Sequence, residues 1–418
     1  MDTVQSIQNA QQAVELVANQ AIEASLQGTF AVGGCIVENA TGKVLAAMHN
    51  NVLMPYPYST AQPPFLPHDP TAHGERQLVD WYFANRERLA LPTPDKLTVV
   101  TTLDPCAMCA GSLLTAGFNV AVSAIDTYAG INYNSQFDFP TLPPAVRQKA
   151  QASWGYYSVA APINRPYQGA RNGPVYAGCG IDAAAFSLTG SIFDASVSSV
   201  RDASNNSGLP PSELRNPNTL PADSKVRQAL TKLSPWSLKV SCANPRMPGQ
   251  ELARPLTETA RQADSLNAVA LLDPFGNLLA CLGGVEKQSP IRTAFMETTR
   301  GYAELRWKLM NDNDPQVRAQ AQQHLTHPKY GTFVFLYAPD PNTSQAVMAF
   351  GAYGSTMEGP VPQSFPSNLQ YVLLPPGTTA QAVAQLAQNL PPFYTQSVQV
   401  APSQVLDSAL ISAAQREL

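Results

Sequence analysis

The sequence predicts an α/β protein: a three-layer α/β/α domain on a mixed central sheet, followed by a second, degenerate copy of the same arrangement. Three observations lead there. Helix-periodic and strand-periodic segments alternate from Val4 to Ile125. The same order of segments returns after about residue 250. A chain of 418 residues also exceeds what one hydrophobic core usually organises. The expected division is a first domain over 1–162, an irregular connection over 163–250, and the second copy over 251–418.

The elements follow in order. A helical period runs through Ile7, Ala10, Val14, Val17 and Ala21. The apolar run Phe30 to Val37, a Thr41-Gly42 turn and the run Val44 to Met48 read as strand, turn, strand. A Pro-rich insertion, Leu53 to Pro67, ends in Asp69-Pro70-Thr71, where a capping side chain and a first-turn proline announce a helix to about Leu89 with His73 and Glu75 in its opening turn. A strand at Leu97 to Thr102 leads through Asp104-Pro105 into a helix from Cys106 to a Gly117 cap. Cys106 and Cys109, three apart, share one face of its first turn. A strand at Val120 to Ile125 completes the pattern.

From Asn164 to Pro248 the chain is rich in Gly, Ser, Asn and Pro and is expected to hold only short helical pieces such as Ser224 to Leu233. After it, a helix at Thr257 to Asp264 and strands at Ala268 to Leu272 and Leu278 to Cys281 copy the first domain. Thr293 to Glu297 lines up with Thr71 to Glu75, and Asp340-Pro341-Asn342, after a strand at Thr332 to Tyr337, lines up with Asp104-Pro105-Cys106. In that alignment Phe295 replaces His73 and Asn342 replaces Cys106.

Composition narrows the function classes. Charged residues are 13% of the chain, about half the usual share, and there are 37 prolines. The formal charge is −4, and no Lys/Arg block is present to track a phosphate backbone, so nucleic acid is not the expected partner. Met1 to Leu26 has neither the basic start nor the apolar core of a signal peptide, and no stretch reaches membrane-spanning length. A soluble, cytoplasmic protein without a membrane partner is expected. Six cysteines, two in a C-x-x-C pair, suit a metal site plus scattered buried thiols in a reducing compartment.

The chemistry lies in His73, Glu75, Cys106 and Cys109. A lone C-x-x-C is more often redox or structural, and a lone H-x-E means nothing. Together, with a strand between them and both opening helices, they describe three zinc ligands and a carboxylate. A three-ligand zinc leaves a position for water and lowers its pKa to about 7, and Glu75 beside it would take and deliver protons. The helix N-terminus under the cysteines favours thiolates.

His73-Gly74-Glu75 followed by Pro105-Cys106-Ala107-Met108-Cys109 resembles the H-x-E…P-C-x-x-C signature of the cytidine deaminase superfamily. The wording around the ligands is similar to the branch holding guanine deaminase, fungal-type cytosine deaminase and the tRNA adenosine deaminases, over about residues 5–135. The resemblance implies Zn2+ as cofactor, Asn50 after the second strand as a hydrogen-bonding contact to the base, the Gly74 backbone N–H on a ring carbonyl, the Asp104 carbonyl receiving the amine, and Asp126 near the substrate. The insertion departs from the compact members, and its Tyr56, Tyr58 and Phe65 would either form a lid or pack on the surface. His68 reads as a solvated side chain on a Pro-rich loop, and Met108 as core.

The expected function is therefore a zinc-dependent aminohydrolase that releases ammonia from a free nucleobase, a nucleoside or a related amino-substituted N-heterocycle. The competing readings are a tRNA adenosine deaminase and a non-catalytic, zinc-stabilised binding protein. Family members generally work as dimers or tetramers, so either a homodimer or an intrachain pseudo-dimer with the second half is expected. That half, lacking its ligands, could not hold zinc the same way.

Overall fold

The computed structural model describes residues 6–58, 65–204, 208–357 and 368–418. Asn9 caps α1 (Ala10–Gln27) by accepting from the Gln12 N–H, and Gly28 ends it at φ 85°. The buried stripe of α1, Ala13, Val14, Val17 and Ala21, lies on β1 (Gly33–Glu38), which pairs antiparallel with β2 (Val44–His49). The insertion forms a hairpin of β3 (Leu53–Pro55) and β4 (Phe65–Pro67).

The next helix, α2 (Gly74–Asn85), starts later than Asp69-Pro70 suggested. Asp69 Oδ1 accepts from the N–H and hydroxyl of Thr71, while Oδ2 receives Arg76 Nη2 at 2.8 Å. The aspartate thus closes a turn and pairs a buried cation, and His73 becomes the cap residue.

Then come β5 (Leu97–Leu103), α3 (Ala107–Ala116) between Cys106 and Gly117, and β6 (Asn119–Ala124). They are followed by α4 (Pro144–Ser153), β7 (Trp154–Tyr156), β8 (Ser158–Val159), β9 (Gln168–Gly169), β10 (Gly180–Ile181) and α5 (Ala183–Ser204). The sheet order is β2-β1-β5-β6-β7-β9. The β2, β1 and β5 neighbours are antiparallel, and β5, β6 and β7 run parallel. Every residue of β5 is buried because helices cover both faces.

The 22-residue α5 corrects the expectation of only short helical pieces. Its periodic positions, Phe186, Gly190, Phe193, Val197 and Val200, are diluted by Ser, Thr and Ala, so the stripe is weak in sequence. It packs on α1 and reaches β5 and β6.

The second half holds α6 (Lys225–Leu233), α7 (Ala253–Arg261), β11 (Ala268–Leu272), β12 (Leu278–Gly283), α8 (Ala294–Met310), α9 (Pro315–His324) and β13 (Thr332–Tyr337). It continues with α10 (Ser344–Thr356), β14 (Leu369–Leu373), α11 (Ala380–Gln388), β15 (Ser403–Gln404) and α12 (Ser408–Glu417). Its sheet runs β12-β11-β13-β14-β15, with the directions of β2-β1-β5-β6-β7. Even the irregularity in the first hairpin recurs, between Ile36 and Val37 in one half and Leu271 and Leu272 in the other. The second unit is a copy of the first.

The structure also corrects which residues correspond. The helix caps are His73 and Thr293, so Thr293 stands for the histidine and Phe295 for Glu75. Asp104 and Ala338 each donate an N–H to the end of the neighbouring strand, at Ala124 and Leu373. Beyond them the second-half loop is longer, and matching the two Asp-Pro dipeptides slipped the register.

Packing of α3 against α10 fixes it. A Cβ on Gly111 would lie 2.4 Å from Met348 N, and one on Gly351 would lie 2.1 Å from Met108 N. This reciprocity pairs Met108 with Met348 and Gly111 with Gly351. It puts Ala346 and Ala349, rather than Asn342, where Cys106 and Cys109 stand.

On the outer face of the first sheet, α1 buries Cys35, Val37 and Val100. On the outer face of the second, α7 and α12 bury Ala270 and Val334. The two inner faces share one core running through α2, α3, α8 and α10, as the α3/α10 crossing requires. The insertion joins this contact: Gln322 Nε2 of α9 donates to the Tyr56 hydroxyl at 2.6 Å, and the Arg318 guanidinium lies 3.8 Å from the Tyr58 ring centre. His68 is half-buried, its ring standing edge-on to Trp307 at 5.0 Å, so it is less solvated than its Pro-rich loop suggested. Among the described residues no helix is long and apolar enough to cross a membrane.

Candidate metal centre and cavity

Two helix starts create the site. His73 caps α2 and Cys106 caps α3, so both side chains leave the chain where unpaired backbone N–H groups concentrate positive potential. Cys109 follows one turn into α3. The Cys106 Sγ lies 3.5 Å from His73 Nδ1, and the ligand atoms of His73, Cys106 and Cys109 all fall within 4.8 Å of one another.

Glu75, 3% exposed, completes the group. Cys109 Sγ donates to its Oε2 at 3.4 Å, and the Thr101 hydroxyl donates to Oε1 at 3.2 Å. Burial, and then the negative charge of Cys106, push the Glu75 carboxyl above its ordinary range. A hydrogen bond from Cys109, and nearby His73, hold Cys106 well below the usual thiol value. Burial, followed by Cys106 itself, drives Cys109 well above it.

Two thiols and a carboxyl buried together cannot all ionise without a cation among them. The soft sulfur donors and the imidazole nitrogen are the set that suits zinc, and three of them leave a tetrahedral position open. The residues fit Zn2+.

The cluster opens into a cavity of about 650 Å³. Asn50, His73, Glu75, Asp104, Cys106 and Asp126 line it; Cys109 and Gly74 do not. Asn50 is 1% exposed, and its Oδ1 accepts from the Thr29 hydroxyl and the Val52 N–H. Because the Val52 donor fixes the oxygen's place, the amide nitrogen is left for the cavity.

Asp104 has a second use that sequence reasoning did not anticipate. Its carboxylate accepts from Asn132 N–H and the Tyr156 hydroxyl, both at 2.7 Å, and fastens the loop after β6. Burial pushes that carboxyl up to about 8 in spite of these donors. Asp126 Oδ1 accepts from the N–H groups of Tyr128 and Ala129, shaping the rim.

Ile125 to Ala129 line the cavity; no described residue of the insertion does. Tyr56 and Tyr58 of the insertion pack on α9, and the Phe65 side chain lies outside the described residues. The remaining walls include Phe193, Asp194 and Val197 of α5, with Ser355, Phe393 and Tyr394 of the second half. The α5 residues have a faint signal in their helical spacing. The second-half residues have none, because only the α3/α10 crossing brings them near.

The model of the cytidine and deoxycytidylate deaminase zinc-binding region matches residues 7–124. A cytosine deaminase of Candida albicans is 28% identical over 109 residues, 26% of this chain, and the chain spans 61% of that relative's length. Among solved structures, one from a study of A-to-I editing by tRNA:A34 deaminases is 22% identical, covering 29% of this chain and 80% of that one at a TM-score of 0.22. A guanine deaminase from Nitrosomonas europaea is 16% identical, covering 44% and 81% at a TM-score of 0.22. Residues 7–124, which carry the His73, Cys106 and Cys109 cluster, belong to the cytidine deaminase superfamily.

Proposed function

We propose that the protein is a zinc-dependent hydrolytic deaminase that converts an amino-substituted N-heterocycle, as free base or nucleoside, into the oxo compound and ammonia. The observation that carries this is the Glu75 carboxyl, buried and held against a His/Cys/Cys cluster that borders a cavity.

His73, Cys106 and Cys109 would hold the ion, which when bound would supply Lewis acidity and lower the pKa of a water beside Glu75. Glu75 takes a proton from that water and gives it to a ring nitrogen as oxygen adds to the amine-bearing carbon. Glu75 would then take the second proton, from the newly added hydroxyl, and deliver it to the amine as the C–N bond breaks. Its raised proton affinity suits a group that must hold a proton between these transfers.

Asn50 offers its amide N–H groups to a ring acceptor. The Gly74 N–H and Asp104 carbonyl are further contacts, and Asp126 shapes the rim. In this reading the second half takes the place that a partner subunit fills in an oligomer.

The lining favours a small, uncharged substrate. It includes Glu75, Asp104, Asp126 and Asp194, and none of its described residues is Lys or Arg. The described lining therefore offers a phosphate no Lys or Arg to pair with, which counts against tRNA.

The test is ammonia release from metal-quantified protein against cytosine, guanine, adenine, their nucleosides, and amino-substituted pyrimidines and triazines. Glu75→Gln should keep zinc and lose about 10²-fold or more of the turnover. Unchanged turnover in that variant would remove Glu75 from the mechanism. Silence of the wild type across the panel would favour the non-catalytic reading.

A further inference from the structure

The half without ligands reaches into the site of the half that has them. Tyr394 is 1% exposed and lines the cavity together with Cys106; burial, and then the negative charge of Cys106, push its hydroxyl well above the ordinary phenol value. Its position is fixed from several sides. Gly354 of α10 makes room for the ring, since a Cβ there would lie 2.4 Å from Tyr394 Cδ1. Tyr394 N donates to Pro391 O at 2.9 Å, and Val400 N donates to Tyr394 O at 2.8 Å. Phe393 N donates to Tyr128 O at 2.9 Å, joining this segment to the cavity rim. A phenol this deeply buried needs a partner for its O–H.

We propose that Tyr394 is a positioning residue of the metal centre: its hydroxyl donates to the Cys106 thiolate and sets how much charge that sulfur gives the ion. Two thiolates on one dication leave excess negative charge in a buried site, and a donor to one of them draws part of it away. The degenerate half would then contribute to the chemistry, and the two halves could not be separated without altering the ion's environment. This rests on reading His73, Cys106 and Cys109 as the zinc ligands.

The experiment uses the full-length chain loaded with Co2+, whose sulfur-to-metal absorption band reports on the thiolates directly. Tyr394→Phe keeps the ring that packs on Gly354 and removes only the donor; Tyr394→Met serves as a second replacement if the first does not fold. The band should move to longer wavelength, because an unbonded thiolate gives up its electron more readily. Zinc affinity, measured by competition with a chromophoric chelator, should fall about 10–100-fold, and kcat should fall with KM little changed. A band and a zinc affinity identical to those of the wild type would overturn the proposal. Absence of any sulfur-to-cobalt band in the wild type would overturn the metal-site reading as well, a result plainly different from an unshifted band.

Discussion

Replacing Gly351 by alanine tests whether the second half positions the metal centre of the first. Gly351 lies in α10, where alanine would normally stabilise a helix by about 1 kcal/mol. Here the added Cβ would stand 2.1 Å from Met108 N, 2.6 Å from Ala107 C and 2.7 Å from Met108 Cα. All three atoms are backbone, so no rotamer change relieves the contact, and the helices must part by about 1 Å. Overpacking of this kind costs about 1–3 kcal/mol. The displaced segment carries Cys106 and Cys109, and a shift of about 1 Å is twice the tolerance of a catalytic constellation, enough for about a 10²-fold loss of rate. Thermal melting, bound zinc per chain and ammonia release are the readouts. The control is Gly301→Ala in α8, where the Cβ meets only the Leu233 and Leu282 side chains at 3.3 Å, so melting should hardly change. A Gly351→Ala protein that melts at or above the wild type, with zinc and turnover unchanged, would refute the idea that this crossing positions the ligands.

Two further outcomes follow from buried charge. Asp69 and Arg76 are 1% and 4% exposed at the side chain, so Asp69→Ala strands a guanidinium and should cost about 3–5 kcal/mol in urea unfolding; a loss below about 1 kcal/mol would mean that Asp80 alone satisfies Arg76. Under the β11–β12 turn, Asp273 accepts from the N–H groups of Phe275 and Asn277, yet burial pushes its carboxyl up to about 6. A raised folded-state value means that this group's stability contribution is present below about pH 4 and lost as pH rises through about 6, a loss of about 3 kcal/mol at most. The urea midpoint should fall over that window in the wild type and be flatter in Asp273→Asn. A wild-type midpoint that climbs there would contradict the direction.

The parts of the fold legible in the sequence are those written in local chemistry. The Thr332 to Tyr337 strand is found with the bounds expected, and Gly117 ends α3 in the left-handed conformation that only glycine adopts freely. The metal cluster was legible because zinc ligation demands particular atoms, and two helix starts separated by a strand are enough to gather them. The cavity walls were not. Tyr394 lies far along the chain from Cys106, and the contact depends on glycines at 351 and 354 whose purpose appears only once α3 and α10 cross. For the insertion the sequence left two uses of its tyrosines open, a lid or surface packing, and the contacts of Tyr56 and Tyr58 with α9 are of the second kind.

The exchange of residues between the two copies shows what each half is built for. In the first, the Thr101 hydroxyl serves the Glu75 carboxylate; at the matching positions of the second, Phe335 and Phe295 stack at 5.3 Å with planes 7° apart. A buried carboxylate awaiting a cation is costly to keep, and two stacked rings in its place remove that cost and add apolar packing. Apolar residues in place of the ligand set therefore stabilise the second unit relative to one that carries a buried carboxylate. The methionine and glycine of α10 that mirror those of α3 have a different reason to be kept, because without them the helices could not approach and Tyr394 could not reach Cys106. The second half thus lacks what the metal cluster needs and keeps what the helix crossing needs.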